Sequence, residues 1–408
     1  MTRLIVIGGG IAGAGTALAL HKAGFDVTVH EAHPDSAEDI GAFLTLASNG
    51  MRALAQLDAS EAVTGIGFPL TSMRVLDDTG AETARVPLGE ASTPRLRYRC
   101  LRRGDLNAAL QAQVTRRGIE IRHGARLVSV EDGPDAVTAH FTDGTTATGD
   151  LLIGADGLNS TVRRAVAPDA RPGYAGQYVF YGYTDAAPPV DEGETITMVR
   201  GSGTAFGYAT SPEGETYWFA RISGAPLAAD ALAHGTPARW RDHLLPLLRE
   251  DATPAAGLVA ATDRLMVTNA TELPTGTPWR SGRSLIIGDA AHAASPATGQ
   301  GASMALEDAV VLAKSLRDAP DTDAALGLYE SLRRPRVEQN ITVSGAITRG
   351  THTPPGPGPR TPPADRAGDD RLVRQLEWHT DLKALRPPPR AADRAQNPRR
   401  PPDPIDEP

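Results

Sequence analysis

A single cysteine, Cys100, in a chain of 408 residues excludes an intrachain disulfide and a cysteine-built metal site. No apolar run approaches the roughly 20 residues that a spanning helix requires, so no membrane partner is expected. Positive charge is not in excess either. The formal net charge is −8 and no long block of Lys or Arg interrupts it, which argues against a nucleic-acid partner. The ten histidines are scattered without metal-ligand spacing, and no metal is expected. Met1-Thr2-Arg3 runs straight into the first strand, so the expectation is no secretory leader and cytoplasmic residence. Internal repeats are absent. What is left is a chain long enough for two domains or one large one with a sizeable core.

Two stretches organise it. Arg3–Gly8 is a β-branched strand that enters Gly8-Gly9-Gly10-Ile11-Ala12-Gly13, a helix runs to about Ala23, and Phe25–Glu31 alternates as a second strand. This is a βαβ unit with G-x-G-x-x-G at Gly8, Gly10 and Gly13 and an acid, Glu31, closing the second strand. The glycines permit a tight turn, the approach of a pyrophosphate and close helix–strand packing, and Glu31 can accept from ribose hydroxyls. The second stretch is Leu285–Leu316. A short apolar strand ends in Gly288-Asp289, a small-residue loop with Pro296 follows, and Gly299-Gln300-Gly301 opens a helix with apolar residues at Leu306, Val310, Ala313 and Leu316. An aspartate at a strand end can bond a sugar-like hydroxyl, while free N–H groups at a helix start face negative charge.

Between them, Gly41–Leu57 reads as a loop and helix, Thr71–Val86 as a hairpin, and Tyr98–Leu101 as a strand leading into a helix at Arg103-Gly104-Asp105-Leu106. Short strands follow at Ile119–Arg122, Leu127–Asp132 and Val137–Phe141. A buried strand then ends in Gly154-Ala155-Asp156-Gly157 before a helix capped by Asn159 or Ser160. From about Tyr174 to Asp263 the pattern becomes antiparallel, with strands at Tyr178–Thr184, Thr195–Arg200, Gly203–Thr210 and Glu215–Ile222 and a helix at Pro237–Arg249. Aromatics make up only 5% of the chain, so the gathering of Tyr181, Tyr183, Phe206, Tyr208, Tyr217, Trp218 and Phe219 here suggests a sheet that covers an apolar ligand. After Tyr329–Arg336 and a helix to about Thr348 the composition breaks. Of 33 prolines, 14 lie from Pro354 onward, so Thr351–Pro363 and Pro387–Pro408 read as extended or disordered, with a short docking helix at 371–385 between them.

The three Gly/Asp motifs, in this order and with these flanks, resemble the single-component FAD-dependent monooxygenases related to para-hydroxybenzoate hydroxylase, over roughly Arg3 to Thr348. The resemblance implies an α/β (α+β two-domain) fold: a Rossmann-like FAD-binding domain from 1–70, 99–173 and 264–350, and an inserted, mostly antiparallel substrate domain from 71–98 and 174–263. A Pro-rich tail at 351–408 lies outside it. It further implies that Gly8, Gly10, Ala12 and Gly13 hold the FAD pyrophosphate, Glu31 the ribose, Arg103 the cofactor's flank and Asp289 the ribitol. On the same resemblance Asp156 would serve both FAD and NAD(P)H, and Gly299, Gln300, Gly301 and Ala302 would face the flavin ring. Tyr181, Tyr183, Tyr217 and Phe219 are the candidate substrate contacts, and Pro296 lines the oxygen-reacting face. The expected chemistry is flavin reduction by NADPH or NADH as a transient co-substrate, O₂ addition at C4a and oxygen transfer to a small organic molecule, with no protein general base identified. A monomer or weak homodimer is expected. One departure is Ser303, where family members often carry asparagine. The rival readings are a halogenase, whose W-x-W-x-I-P element is absent, an oxidase or dehydrogenase, and a non-catalytic carrier of the same fold.

Overall fold

The computed structural model describes residues 2–36, 41–186, 188, 193–351 and 370–385. Its first layer is a six-stranded sheet in the order Arg280–Ser281, Ser284–Ile286, Leu151–Gly154, Arg3–Ile7, Asp26–His30, Glu120–Arg122, parallel except for the first strand. Strands buried on both faces need near-continuous apolar sequence, and Leu4–Ile7, Leu151–Ile153 and Leu285–Ile287 supply it. The helices Ile11–Lys22 and Gly301–Asp318 pack together beside the sheet. A Cβ on Gly15 would lie 3.0 Å from Leu306, so glycine sets how closely they approach.

Register places the three motif loops together. Ile7 pairs with Gly154, and Gly154 pairs with Ile286. The loops starting at Gly8, Ala155 and Ile287 therefore leave one row at the carboxyl edge of adjacent parallel strands, where open α/β sheets bind ligands.

A seven-stranded sheet forms the second layer, in the order Arg264–Glu272, Gly173–Thr184, Thr216–Ser223, Ala205–Thr210, Thr195–Arg200, Ser72–Asp77, Glu82–Pro87. Only the Thr195–Arg200 and Ser72–Asp77 pair is parallel. Side-chain alternation splits the aromatic cluster between its faces. Phe180, Phe206, Tyr208 and Trp218 point to the helices Pro237–Leu248 and Ala255–Ala260. Tyr181, Tyr183, Tyr217 and Phe219 point the other way, onto Phe43, Phe68 and Cys100 of a small sheet built from Phe43–Leu46, Phe68–Leu70 and Tyr98–Arg102.

Several elements depart from the sequence reading. Phe43–Leu46, read as loop, is a strand, because its pairing partner at Tyr98–Arg102 lies far along the chain. Arg264–Glu272 pairs with Gly173–Thr184 and extends the sheet beyond the boundary placed at 263. Thr146–Gly149 is an additional strand beside Val137–Phe141. The last helix already begins at Thr322 and runs through Pro335 to Thr348. Residues 370–376 are helical and Leu382–Leu385 form a 3-10 turn. Leu372, Leu376 and Leu382 join the main core there, and the Lys314 ammonium donates to the Gln375 carbonyl at 2.7 Å and to that of Glu377. The Pro-rich stretches from 352 to 369 and from 386 onward lie outside the described residues. Among the described residues no helix is long and apolar enough to cross a membrane.

Candidate active site

The Gly8–Gly13 turn is shaped by its own backbone. Gly8 has φ 101° and a Cβ there would meet the Ala155 carbonyl at 2.5 Å; one on Gly13 would meet the Gly8 carbonyl at 1.8 Å. Neither position accepts a side chain. Gly10 differs, since nothing lies within 4 Å of where its Cβ would be. It opens the helix Ile11–Lys22, whose first N–H groups have no intrahelical acceptor. Glu31, one residue beyond the strand end at His30, accepts from the backbone N–H of Gly9 at 2.5 Å and of His33 at 2.7 Å. Gln111, unmarked in the sequence reading, donates to the Gly9 carbonyl at 2.8 Å and fixes the turn from behind.

A cleft of about 290 Å³ runs along this turn, lined by Gly8, Gly10, Glu31, Arg103, Asp156 and also by His30 and Arg126, which the motifs did not indicate. The Arg103 side chain makes no hydrogen bond or ion pair with the described residues. His30 is 2% exposed, and neither ring nitrogen has a partner. Burial, and then Arg122, hold its pKa down to about 4, so the ring is neutral.

Asp156 is committed to local structure. Its carboxylate accepts from the Ser160 hydroxyl at 2.5 Å and from the N–H groups of Thr161 and Val162 at 2.6 and 3.1 Å, closing the start of the helix Thr161–Val166. Burial pushes its pKa up, while these donors pull the other way. Ser160, one of the two expected caps, bonds the Arg163 N–H. Arg163 in turn donates to the Ala290 carbonyl at 3.0 Å, tying this loop to the Asp289 loop.

Asp289 stands at the start of the turn Asp289–His292, half-buried. Its carboxylate has no hydrogen-bond partner among the described residues. The Cβ position of Gly301 lies 3.9 Å from Asp289 Oδ1, so the acid sits beside the amino end of the helix Gly301–Asp318. Gly288 has φ 56° and its Cβ position falls 2.8 Å from Ala12, which brings this loop against the first turn. Gln300 accepts from Asn49 at 3.0 Å. Ser303 is fully buried and its hydroxyl accepts from the Ala47 N–H, so it serves the strand–helix junction at 46–48. Gly299 takes the left-handed conformation at φ 64°, ending the turn Pro296–Thr298, with Pro296 exposed.

Beneath the two loops lies a buried charge network that sequence reading passed over. Arg333 donates to Glu307 at 2.5 Å and Asp308 at 2.8 Å, all three fully buried. Asp308 also accepts from His292 at 2.5 Å and from the Gly288 N–H at 3.2 Å. Glu307 also takes Arg336 at 2.8 Å and Asn49 at 2.6 Å. His292 thus holds the Asp289 loop to the helix behind it.

The four candidate substrate residues gather around Phe43, with ring centroids 6.0 Å away for Tyr181, 6.2 Å for Tyr183, 5.6 Å for Tyr217 and 6.3 Å for Phe219. One end of this face is closed. Arg102 stacks on Tyr183 at 4.7 Å, and its Nη2 donates to both Glu215 carboxylate oxygens at 2.7 and 2.8 Å. Burial pushes Tyr181 up to about 12 against the pull of Arg221 and Arg103. The hydroxyl of Tyr181 therefore stays protonated as a donor.

These residues fit FAD. Among the described residues Gly10 leaves the turn open, Arg103 is a cation without an internal acid, Asp289 is a carboxylate without an internal donor, and His30 offers unpartnered ring nitrogens beside Glu31.

A family model described as "FAD binding domain" matches residues 1–344. The chain is 31% identical to the aurachin C monooxygenase/isomerase of Stigmatella aurantiaca, covering 84% of this chain and 88% of that protein. It is 33% identical to the 3-amino-4-hydroxybenzoate 2-monooxygenase of Streptomyces cremeus, over 87% and 89%. Among solved structures, Klebsiella pneumoniae HpxO complexed with FAD and uric acid superposes with a TM-score of 0.77 at 27% identity, covering 94% of this chain and 95% of that one.

Proposed function

The chain belongs to the FAD-binding-domain family, among its single-component FAD-dependent monooxygenases, and we propose that it oxygenates a small, flat, electron-rich aromatic or heteroaromatic substrate held against the Tyr181–Phe219 face. The carrying observation is the convergence of the Gly8, Ala155 and Ile287 loops on one edge of the parallel sheet, with the partnerless Asp289 carboxylate beside a helix start. The relatives named for 3-amino-4-hydroxybenzoate and complexed with uric acid point to rings of this size.

FAD bound here would supply the redox chemistry between NADPH or NADH and O₂. The protein's part is placement. Gly10 would admit the pyrophosphate, Glu31 would accept from ribose hydroxyls, Arg103 would flank the phosphates and Asp289 would accept from the ribitol. The N–H groups at Gly299–Ala302 would serve the electron-rich edge of the ring, where a helix start is preorganised for negative charge. Asp156 holds the adjoining helix start rather than a reacting atom. Phe43, Tyr181 and Phe219 exclude water from the substrate side. No second dinucleotide fold is present among the described residues, so NAD(P)H binds transiently and leaves.

The deciding experiment is oxygen labelling. In ¹⁸O₂, product formed with substrate-dependent NAD(P)H oxidation is expected to gain one labelled atom, unaffected by chelators. Label arriving from water instead would overturn the assignment.

A further inference from the structure

The alternation of the strand Thr216–Ser223 puts Tyr217, Phe219 and Arg221 on the face that covers the cofactor side. Register sorts that face into rows: Tyr183, Tyr217 and Ala209; then Tyr181, Phe219 and Gly207; then Val179, Arg221 and Ala205. A charged residue therefore stands at the open end of an otherwise aromatic and small-residue surface. Its strand neighbours, Val179 and Ala205, offer it no polar atom.

The surroundings of Arg221 are unusual for a half-buried cation. Its guanidinium lies 5.4 Å from the Phe219 ring centre. Its one side-chain hydrogen bond among the described residues runs from Nη1 to the Ala297 carbonyl at 3.4 Å, in the Pro296–Thr298 turn that leads into the helix start at Gly301. The Nε is buried and without a partner. No carboxylate among the described residues lies within ion-pair distance. At the opposite end of the same face Arg102 is neutralised by Glu215, and behind the site Arg333 is neutralised by Glu307 and Asp308. Desolvating a cation without an acid is costly, and such groups are paired where folding alone dictates them. Tyr181, one row away and electrostatically coupled to both Arg221 and Arg103, has a hydroxyl with no partner among the described residues.

We propose that Arg221 is a specificity-determining residue that receives an anionic oxygen on the substrate ring, a carboxylate or an ionised hydroxyl. This rests on the monooxygenase reading above and goes beyond it by naming the recognised group. The guanidinium fork matches a carboxylate bidentately and an oxyanion singly, and the Phe219 face beneath it orients the fork. The Ala297 bond ties that fork to the turn before Gly299, so a ring held by Arg221 sits between the aromatic face and the helix start.

The test uses FAD-loaded full-length protein and reads binding from perturbation of the flavin absorbance, which needs no turnover. Two matched pairs separate the sources of the anion: benzoate against benzamide, and 4-cyanophenol above its pKa against 4-methoxybenzonitrile. In the wild type at least one anion is expected to bind about 10- to 100-fold tighter than its neutral partner, the size of one charge-assisted hydrogen bond. Arg221→Gln should erase that gap while keeping its FAD, and Arg221→Lys should restore part of it. Equal Kd values within both pairs in the wild type, or a gap that survives Arg221→Gln, would overturn the anchor and leave the monooxygenase assignment standing. Loss of FAD from Arg221→Gln and Arg221→Lys alike would also overturn it, because Arg221 would then be serving the cofactor. A wild-type protein that retains no flavin sinks both readings.

Discussion

The glycines of the first turn have different jobs, and substitution separates them. Any side chain at Gly13 would strike the Gly8 carbonyl, so Gly13→Ala should fold poorly or not at all. Gly10 faces open space, so Gly10→Val is expected to fold with an unchanged melting temperature yet to purify with less FAD, its bulk standing where a phosphate approaches. Asp289→Ala acts on the other end of the cofactor. Removing one charge-assisted hydrogen bond costs on the order of 1.5–3 kcal/mol, so FAD should bind roughly tenfold or more weakly, measured by flavin fluorescence on titration. Full flavin occupancy in both variants would place the cofactor elsewhere.

At the scale of elements, two helices and the Asp289–His292 turn share one buried set of charges. Arg333, on the helix Thr322–Thr348, satisfies Glu307 and Asp308 of the helix Gly301–Asp318, and Asp308 carries the Asp289–His292 turn through His292. Arg333→Met would leave two buried carboxylates short of a partner, a loss of about 3–5 kcal/mol that thermal denaturation should register. The network also sets an acid limit. Burial raises the Asp308 pKa, but His292 and Arg333 outweigh it and hold the group at about 2. Its folded value lies below the unfolded one near 3.8, so its contribution is complete above about pH 4 and disappears as pH falls toward 2. Asp308→Asn lacks this contribution at every pH, so it should be less stable at neutral pH and unfold, with flavin release, at a higher pH than the wild type.

For the molecule as a whole, the two parts of the carboxyl-terminal region should behave differently on truncation. Leu372, Leu376 and Leu382 are buried in the main core, and Lys314 and Arg317 donate to carbonyls of that segment. Ending the chain at Thr351 removes these contacts, about 1.5–3 kcal/mol per buried leucine, and should lower the melting temperature. Ending it before Arg390 removes only polar, Pro-rich sequence and should change neither folding nor FAD content; a flavin-free product would refute this. The cofactor motifs were legible because glycines and aspartates at strand ends carry their signal locally. The strand Phe43–Leu46 was not, being four residues whose partner is Tyr98–Arg102. Glu307, Asp308 and Arg333 read as ordinary helical charges, since only the packing of two helices makes them buried. Arg221 gave no sign of being unpaired until the sheet register set Val179 and Ala205 beside it. The contact of Gly288 with Ala12 has one more consequence, in the order of synthesis. A ribosome that has translated 280 residues has made the phosphate turn, the ribose acid and the aromatic cover. It has yet to make the strand Ser284–Ile286, Asp289 and the helix that covers Gly15. The nascent chain must wait with that flank of its first helix bare, and on the proposed placement of FAD its capture must wait for that later stretch as well.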